Sequence, residues 1–351
     1  MTRFIKTLEK VGRKPVVVQG CSGCRIVVLP HGGRTLGLFP AGSDFNFLWT
    51  NPVLDDLASA KAFMSSGQWL NTGGDRTWLA PENDFFRPDY PDKPTYFQPR
   101  QLDPGRYRCE ACGRGVRLTC DLELRSYRTR EDVGLRIVKE VMPSENPFHQ
   151  VPGSLMSGGV SFAGYSLRST LELRGKAGRT VVGLWHLLQM PHRGRMLIPV
   201  RFRTRPTIYF GKIPKGDLAT GARLIEYAMR SPGDHKLGVQ AIALTGRAGY
   251  IFPCASGLAL VVRNFLVNPS GSYADALPMS EECPGDAFQA CSVSNSALGH
   301  FSELEYHVPA VGGTTGLDRS EDSSQVWAFC GPAGSIRRIA SALLGKQDAG
   351  N

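Results

Sequence analysis

Two stretches hold most of the side chains that could do chemistry. In "FSELEYHVP", Glu303, Glu305 and His307 recur at every second position. A strand alternates its side chains, so these three share one face while Leu304, Tyr306 and Val308 take the other. Three ionisable groups on one face must meet water, a ligand or each other. If the face lines a cleft, like-charge proximity raises one carboxyl pKa and makes that group a usable proton acceptor near neutrality. Glu303 and Glu305 are the candidate bases. In "GLWHLLQMPHRGR", the same alternation separates Trp185 and Gln189 from His186. If His186 looks into the cleft, a general acid is available. If Trp185 and Gln189 do, the site suits binding better than proton transfer. His192, just beyond, is a second candidate acid.

The other stretch is "TGGDRTWLAPENDFF", residues 72 to 86. It reads as a loop. Gly73 and Gly74 allow a sharp turn and a close backbone approach. Trp78, Phe85 and Phe86 offer flat apolar faces, and Asp75, Arg76, Glu82, Asn83 and Asp84 offer charged or amide groups. Loops carry a disproportionate share of function. The same residues would also serve a structural loop, with Trp78 buried and Asp75 capping a turn. Arg34, after the Gly-Gly turn of "HGGRTLGLFP", is a further candidate for ligand binding, or for a buried ion pair.

The elements that must position these residues are mostly strands. Residues 1 to 13 suit a short amphipathic helix, with Phe4, Ile5, Leu8 and Val11 at helical spacing. "LDDLASAKAFMSSG" suits a second, with Asp55 and Asp56 at its positive end. "LATGARLIEYAMR" reads as a third short helix, and "SIRRIASALLGKQ" as the last. Nearly everything else is a strand-like run bounded by turn signals, consistent with 40 Gly and 24 Pro spread along 351 residues. This is an all-β chain with few short helices. No repeat of fixed period argues for a propeller or solenoid. No linker or break in composition divides the chain, so a single domain over residues 1–351 is expected. Two packed sheets and a closed barrel both fit the periodicity.

Taken in order, several motifs resemble a family. "HGGRTLGLFPAGSDFNFLWTNP", "GGDRTWLAPE", "GLWHLLQMP" and "FSELEYHVP" are similar in order and spacing to segments of galactose-mutarotase-like proteins, the aldose 1-epimerase superfamily. The resemblance runs over about residues 15 to 312 and leaves 313–351 as a C-terminal strand and helix extension. It implies a β-supersandwich of two large antiparallel sheets with a sugar site on one concave face. It also implies cofactor-independent acid–base chemistry at an anomeric centre: a Glu as base, a His as acid, an Arg and an Asp on hydroxyls. The Asn-His-Ser/Thr-Tyr-Phe motif of authentic mutarotases is absent, and "LWHLLQ" stands near its place. The superfamily also holds non-catalytic carbohydrate-binding domains, and fold does not fix function. Either reading takes a mono- or oligosaccharide as partner and needs no cofactor.

Charge and cysteine content narrow the classes. The net charge of +10 favours anionic partners. No basic run is dense enough for a nucleic-acid tail, and aromatics are not interleaved with basic residues as single-strand binding requires. On a strand, Arg201, Arg203 and Arg205 would form a stripe. With Arg34 and Arg76 they lead to an expected preference for an anionic sugar. The pairs Cys21/Cys24 and Cys109/Cys112 have zinc-knuckle spacing, and Cys120 could join the second pair. But 84 residues separate the pairs, and reduced cytosolic thiols are the expected state. There is no signal-peptide-like start and no apolar run of membrane-spanning length, so a cytoplasmic location away from membranes is expected. P-loop, dinucleotide, G-x-S-x-G and H-E-x-x-H motifs are absent.

Overall fold

The computed structural model describes residues 3–92, 95–149, 155–156, 158–175, 178–275 and 285–345. Among them, two antiparallel sheets of ten strands each dominate. The chain is all-β, and two packed sheets rather than a closed barrel satisfy its periodicity. The first sheet runs, edge to edge, through Val16–Gln19, Arg25–Leu29, Arg34–Phe39, Asp75–Ala80, Val181–Pro191, Gly299–His307, Asp286–Asn295, His235–Gln240 and Thr207–Phe210, with Val311–Gly312 also paired to Val181–Pro191. The second runs through Leu218–Thr220, Leu224–Ala228, Arg195–Pro199, Arg247–Cys254, Gly257–Asn264, Arg319–Gly331, Ser161–Leu173, Glu131–Pro143, Gly115–Ser126 and Arg108–Cys112. Arg319–Gly331 is not peripheral: it is hydrogen-bonded between Gly257–Asn264 and Ser161–Leu173.

The largest apolar cluster lies between the sheets and draws on both, with Ile26, Val28, Leu184 and Leu304 from the first and Ile137, Leu171, Val261 and Val326 from the second. The helices cover outer faces. Arg3–Lys10 and Leu57–Ser65 pack Phe4, Ile5, Leu8 and Ala60 onto Val27, Leu29, Leu36 and Phe39. Asp56 caps the second of these helices, accepting from the Ser59 amide at 2.8 Å. Ala333–Leu344 packs Ile336, Ile339 and Leu344 onto Leu197, Leu260 and Phe329 of the second sheet. Strands covered on both sides read as continuous apolar runs, and Arg34–Phe39 is buried at every position. Among the described residues no helix is long and apolar enough to cross a membrane.

Three local readings differ from the structure. Asp75–Ala80 is a fully buried strand at the middle of the first sheet, not a loop. The Gly-Gly pair that suggested a loop is the turn that enters it. Gly73 and Gly74 have φ of 98° and 78°, and a Cβ on either would collide with the carbonyls of Trp49 and Thr35. "LATGARLIEYAMR" forms the strands Leu218–Thr220 and Leu224–Ala228, because pairing of the two with each other and of Leu224–Ala228 with Arg195–Pro199 outweighs the helical spacing of its apolar residues. Arg201, Arg203 and Arg205 follow the end of Arg195–Pro199 in bent, exposed chain and form no strand-face stripe.

Candidate functional site

Strand register assembles a polar face on the outer side of the first sheet. Directly paired residues share a face, so pairing aligns rows across neighbouring strands. One row is Gln189, Glu303, Cys291 and Lys236; another is Arg76, Leu187 and Glu305; a third is Trp78, Trp185 and His307. All of these side chains are buried. The helices Arg3–Lys10 and Leu57–Ser65 pack on Val27, Leu29, Leu36 and Phe39 rather than on these rows.

Two ion pairs organise the face. Arg76 holds Glu303 at 3.0 Å, and Gln189 Nε2 donates to the same carboxylate oxygen, Oε1, at 3.0 Å. The Arg76 guanidinium lies over Trp78 and Trp69, 4.2 and 5.1 Å from their ring centres. Lys236 Nζ donates to Glu305 Oε2 at 2.9 Å, and Trp185 Nε1 donates to the same oxygen at 2.8 Å. Lys236 also sits 4.5 Å from the Trp185 ring centre, and His307 stacks on the same indole with ring centres 5.5 Å apart. Behind Trp78, Asp103 accepts from both indoles, Trp69 at 2.9 Å and Trp78 at 2.8 Å, and pairs with Arg34 at 2.7 Å. Burial works against the Asp103 carboxylate, but Arg34 and the indole donor hold its pKa below the ordinary value.

The electrostatics distinguish Glu305. Burial raises its pKa; Lys236 opposes the shift, Glu303 adds to it, and the result is about 7. Lys236 loses to burial but gains more from Glu305, so its ammonium form is favoured. Burial, then Lys236, push His307 well below 6.5, so its ring is neutral. Cys291 is raised well above the usual thiol value by burial and then by the two carboxylates, so it is a thiol, not a thiolate. Several buried polar atoms here have no hydrogen-bond partner among the described residues: Nδ1 and Nε2 of His307, Oε1 of Glu305, Oε1 of Gln189 and Nε of Arg76. Such atoms are costly and rare, and a cluster of them on one face points to a polar ligand.

The candidate residues from sequence divide between the two sides of the sheet. Glu303, Glu305, Arg76, Trp78, Trp185 and Gln189 come together on the outer face. Glu82, in the short helix that follows Asp75–Ala80, is close enough to affect both Lys236 and the Tyr96 hydroxyl. Arg34 is behind the face, fully engaged by Asp103 and by the Gly73 carbonyl at 3.2 Å. His186 and Asp75 project to the other side, between the sheets. His186 Nδ1 meets Thr77 Oγ1 and its Nε2 meets Ser169 Oγ, both at 3.0 Å. Asp75 pairs with Arg263 at 3.0 Å and accepts from Tyr165 at 2.7 Å. His192 lies past the strand end, 3.1 Å from Ser292 Oγ, away from both glutamates. Sequence reasoning placed His307 on the Glu face without giving it a role, and missed Lys236, Trp69, Asp103 and Cys291. A lone Lys inside the strand-like run "HKLGV" was the available signal for Lys236.

Cys291, Glu303 and Glu305 have ligand atoms within 4.8 Å of one another, the one such group of three among the described residues. Each carboxylate is already held by a cation, and the thiol is disfavoured as a thiolate, which is poor chemistry for a metal centre. Cys21, Cys24, Cys109, Cys112 and Cys120 are free thiols and join no such group.

No family model matches the chain, and no curated protein matches it. Solved structures do. A galactose mutarotase-related enzyme from Lactobacillus acidophilus matches over 90% of this chain and 96% of its own, at 9% identity and a TM-score of 0.44. Galactose 1-epimerase from Lactobacillus acidophilus NCFM matches over 91% and 94%, at 9% identity and a TM-score of 0.45. An α-galactosidase from Lactobacillus brevis matches over 95% of this chain but 42% of its own, at 8% identity and a TM-score of 0.38. The first two carry the names of the group that the motif order resembles. At these scores no residue role transfers from them, and the chemistry rests on the geometry described above.

Proposed function

We propose that the outer face of the first sheet is a sugar site, and that the protein is a cofactor-independent, aldose 1-epimerase-like isomerase with Glu305 as its base. One observation carries the reading. Glu305 is gripped at Oε2 by Lys236 and Trp185, has Oε1 unpartnered, and titrates near 7. Glu303 is the weaker candidate because Arg76 and Gln189 occupy it. In this reading Oε1 takes the anomeric hydroxyl proton as the C1–O bond to the ring oxygen breaks and C1 becomes a carbonyl. The Lys236 ammonium offsets the charge developing on the ring oxygen, which takes a proton from solvent water and gives it back when the ring closes. Ring closure on the other carbonyl face, with proton return, gives the second anomer. Trp185 and Trp78 supply flat faces; Gln189, Arg76 and His307 supply hydroxyl partners. A soluble, cytoplasmic setting suits this role.

Polarimetry on pure anomers of glucose and galactose tests it. The expected rate rises with pH and levels above about 7, because the carboxylate is the active form. Glu305→Gln is expected to lower it by about 10²-fold or more. No acceleration of any aldose over buffer would overturn the reading. A specific observation favours a second one: His186 and His192 lie off the face and His307 is neutral, so no imidazolium stands ready as acid. Sugar binding by calorimetry without interconversion would establish a carbohydrate-binding protein instead.

A further inference from the structure

A cleft of about 1320 Å³ opens beside the Glu305 face. Its wall includes Trp69, Tyr96 and Asp103. Trp69 joins it to the proposed site, since the Arg76 guanidinium that holds Glu303 lies over the same ring. Tyr96 stacks on Phe86 at 5.8 Å, and its hydroxyl is turned inward to Glu82. The cleft therefore has aromatic walls continuous with the aromatic floor of the Glu face.

Its charge is unbalanced. Of its three acidic residues, Asp103 is neutralised by Arg34, and Asp121 by Arg136 at 2.6 Å and Arg108 at 3.3 Å. Glu123 remains. Against it stand Arg13, Arg100 and Arg106. Arg100 donates to the Gly67 carbonyl at 2.9 Å and keeps its charge unopposed. Arg13 Nε is buried without a partner among the described residues. A buried guanidinium nitrogen with nothing to donate to, at the wall of a wide cleft, is unfavourable unless an acceptor arrives. His31, also on the wall, is pushed to about 4 by burial, then by Arg13 and Arg34, so its ring is neutral and the arginines carry the positive charge.

From this geometry we infer that the cleft is a subsite for an acidic saccharide unit. Its carboxylate or sulfate meets Arg13 and Arg106, and its ring lies against Trp69 and Tyr96. The inference rests on the sugar-site reading above and names its ligand class. It also relocates the origin of any anionic preference. Arg34 and Arg76 are each committed to a carboxylate, and Arg201, Arg203 and Arg205 form no track.

Calorimetry with β-glucuronosyl-(1→4)-glucose and its neutral counterpart cellobiose tests it. A charge-assisted guanidinium contact should make the acidic disaccharide at least about tenfold tighter at about 0.05 M NaCl. The ratio should shrink at about 0.5 M, where exposed contacts are screened. The Arg13→Ala/Arg106→Ala variant should bring the ratio to about one, with circular dichroism as the folding control. The exposed Arg106→Ala alone serves if the double variant does not fold, and should shrink the ratio partway. Glucose 6-sulfate and glucose 6-phosphate distinguish the anion. Equal affinity for the two disaccharides, a salt-independent ratio, or a ratio unchanged by the arginine variants would overturn the inference, as would no binding of either. Acid-selective binding without turnover of any sugar would sustain it while removing the isomerase reading. Turnover of neutral sugars without acid selectivity would do the reverse.

Discussion

The two sides of the Glu303 strand bury comparable amounts of charge and treat it differently. On the inner side Asp75 takes Arg263 and Tyr165, His186 takes Thr77 and Ser169, and Tyr306 donates to Asp322 at 2.5 Å. Lys139 donates to the Gly33 carbonyl at 2.7 Å. Apart from Arg263 Nε, that network closes on itself. On the outer side the ion pairs are as short, yet His307, Glu305 and Gln189 keep polar atoms unpartnered. A closed network fixes how the two sheets stack, since each member has one satisfied arrangement. An open one is destabilising on its own, and the proposed ligand would complete it. Burial and charge are shared by both clusters; the difference lies in their leftover valence.

Four substitutions probe that contrast, and the largest effects belong inside. Arg263→Met leaves Asp75 as an uncompensated buried carboxylate with only Tyr165 as partner. Breaking such a pair costs about 3–5 kcal/mol, so urea unfolding should show a loss of that order. A loss under about 1 kcal/mol would mean that the inner network is not what fixes the stack. His186→Phe keeps the ring over Tyr306, now 4.8 Å away, but strands the Thr77 and Ser169 hydroxyls. About 1–3 kcal/mol for each group left without a partner predicts a loss of about 2–4 kcal/mol. If His186 were instead the acid of the reaction, the variant would fold normally and lose turnover.

The inner network also has a pH signature. Burial raises Asp322 from 3.8 to about 6 despite its bond from Tyr306; Asp286, which accepts from Tyr209 beside Lys236 and stands outside this network, is raised to about 6 by burial as well. In each case the folded state holds the proton more tightly than the unfolded chain. The resulting stability is complete below about 4 and is lost as pH rises through about 6. Each tenfold difference in proton affinity between the folded and unfolded chain is worth about 1.4 kcal/mol, so stability should fall between those limits by about 2–3 kcal/mol per group. Asp322→Asn, which stays neutral, should remove one of the two steps. Thermal melts at intervals from pH 4 to 7 would show it, and an Asn variant with the wild-type slope would exclude Asp322 as a source.

How much of the site was legible in the sequence follows from the same physics. Alternation is local, so "FSELEYHVP" and "GLWHLLQMP" put Glu303, Glu305 and His307 on one face and divided Trp185 from His186. Which side of the sheet each set occupies depends on long-range pairing, and that left open whether His186 or Trp185 joined the glutamates. Lys236 and Asp103 were missed because their roles come from partners 69 residues away in each case, Glu305 and Arg34. Asp75–Ala80 was misread because its Gly-Gly entry and Pro81 exit are turn chemistry, while the six residues between are recognised as a strand only by pairing with Val181–Pro191.

The smallest expected change in stability is the sharpest test of the contrast. His307→Phe retains a ring over Trp185 and deletes two buried nitrogens that have no partner among the described residues. Removing unpartnered polar atoms at constant shape is neutral or stabilising, so unfolding stability should hold or rise by about 1 kcal/mol. The same substitution removes a donor and an acceptor from the proposed sugar site, so sugar affinity should fall by about tenfold, the worth of one good hydrogen bond to a ligand. The two readouts move in opposite directions only if the nitrogens wait for a ligand. A stability loss like that of His186→Phe would mean that His307 is paired in the folded protein and that the outer face is closed. Unchanged stability with unchanged sugar binding would remove His307 from the site and leave Glu305 and Gln189 as its remaining open groups.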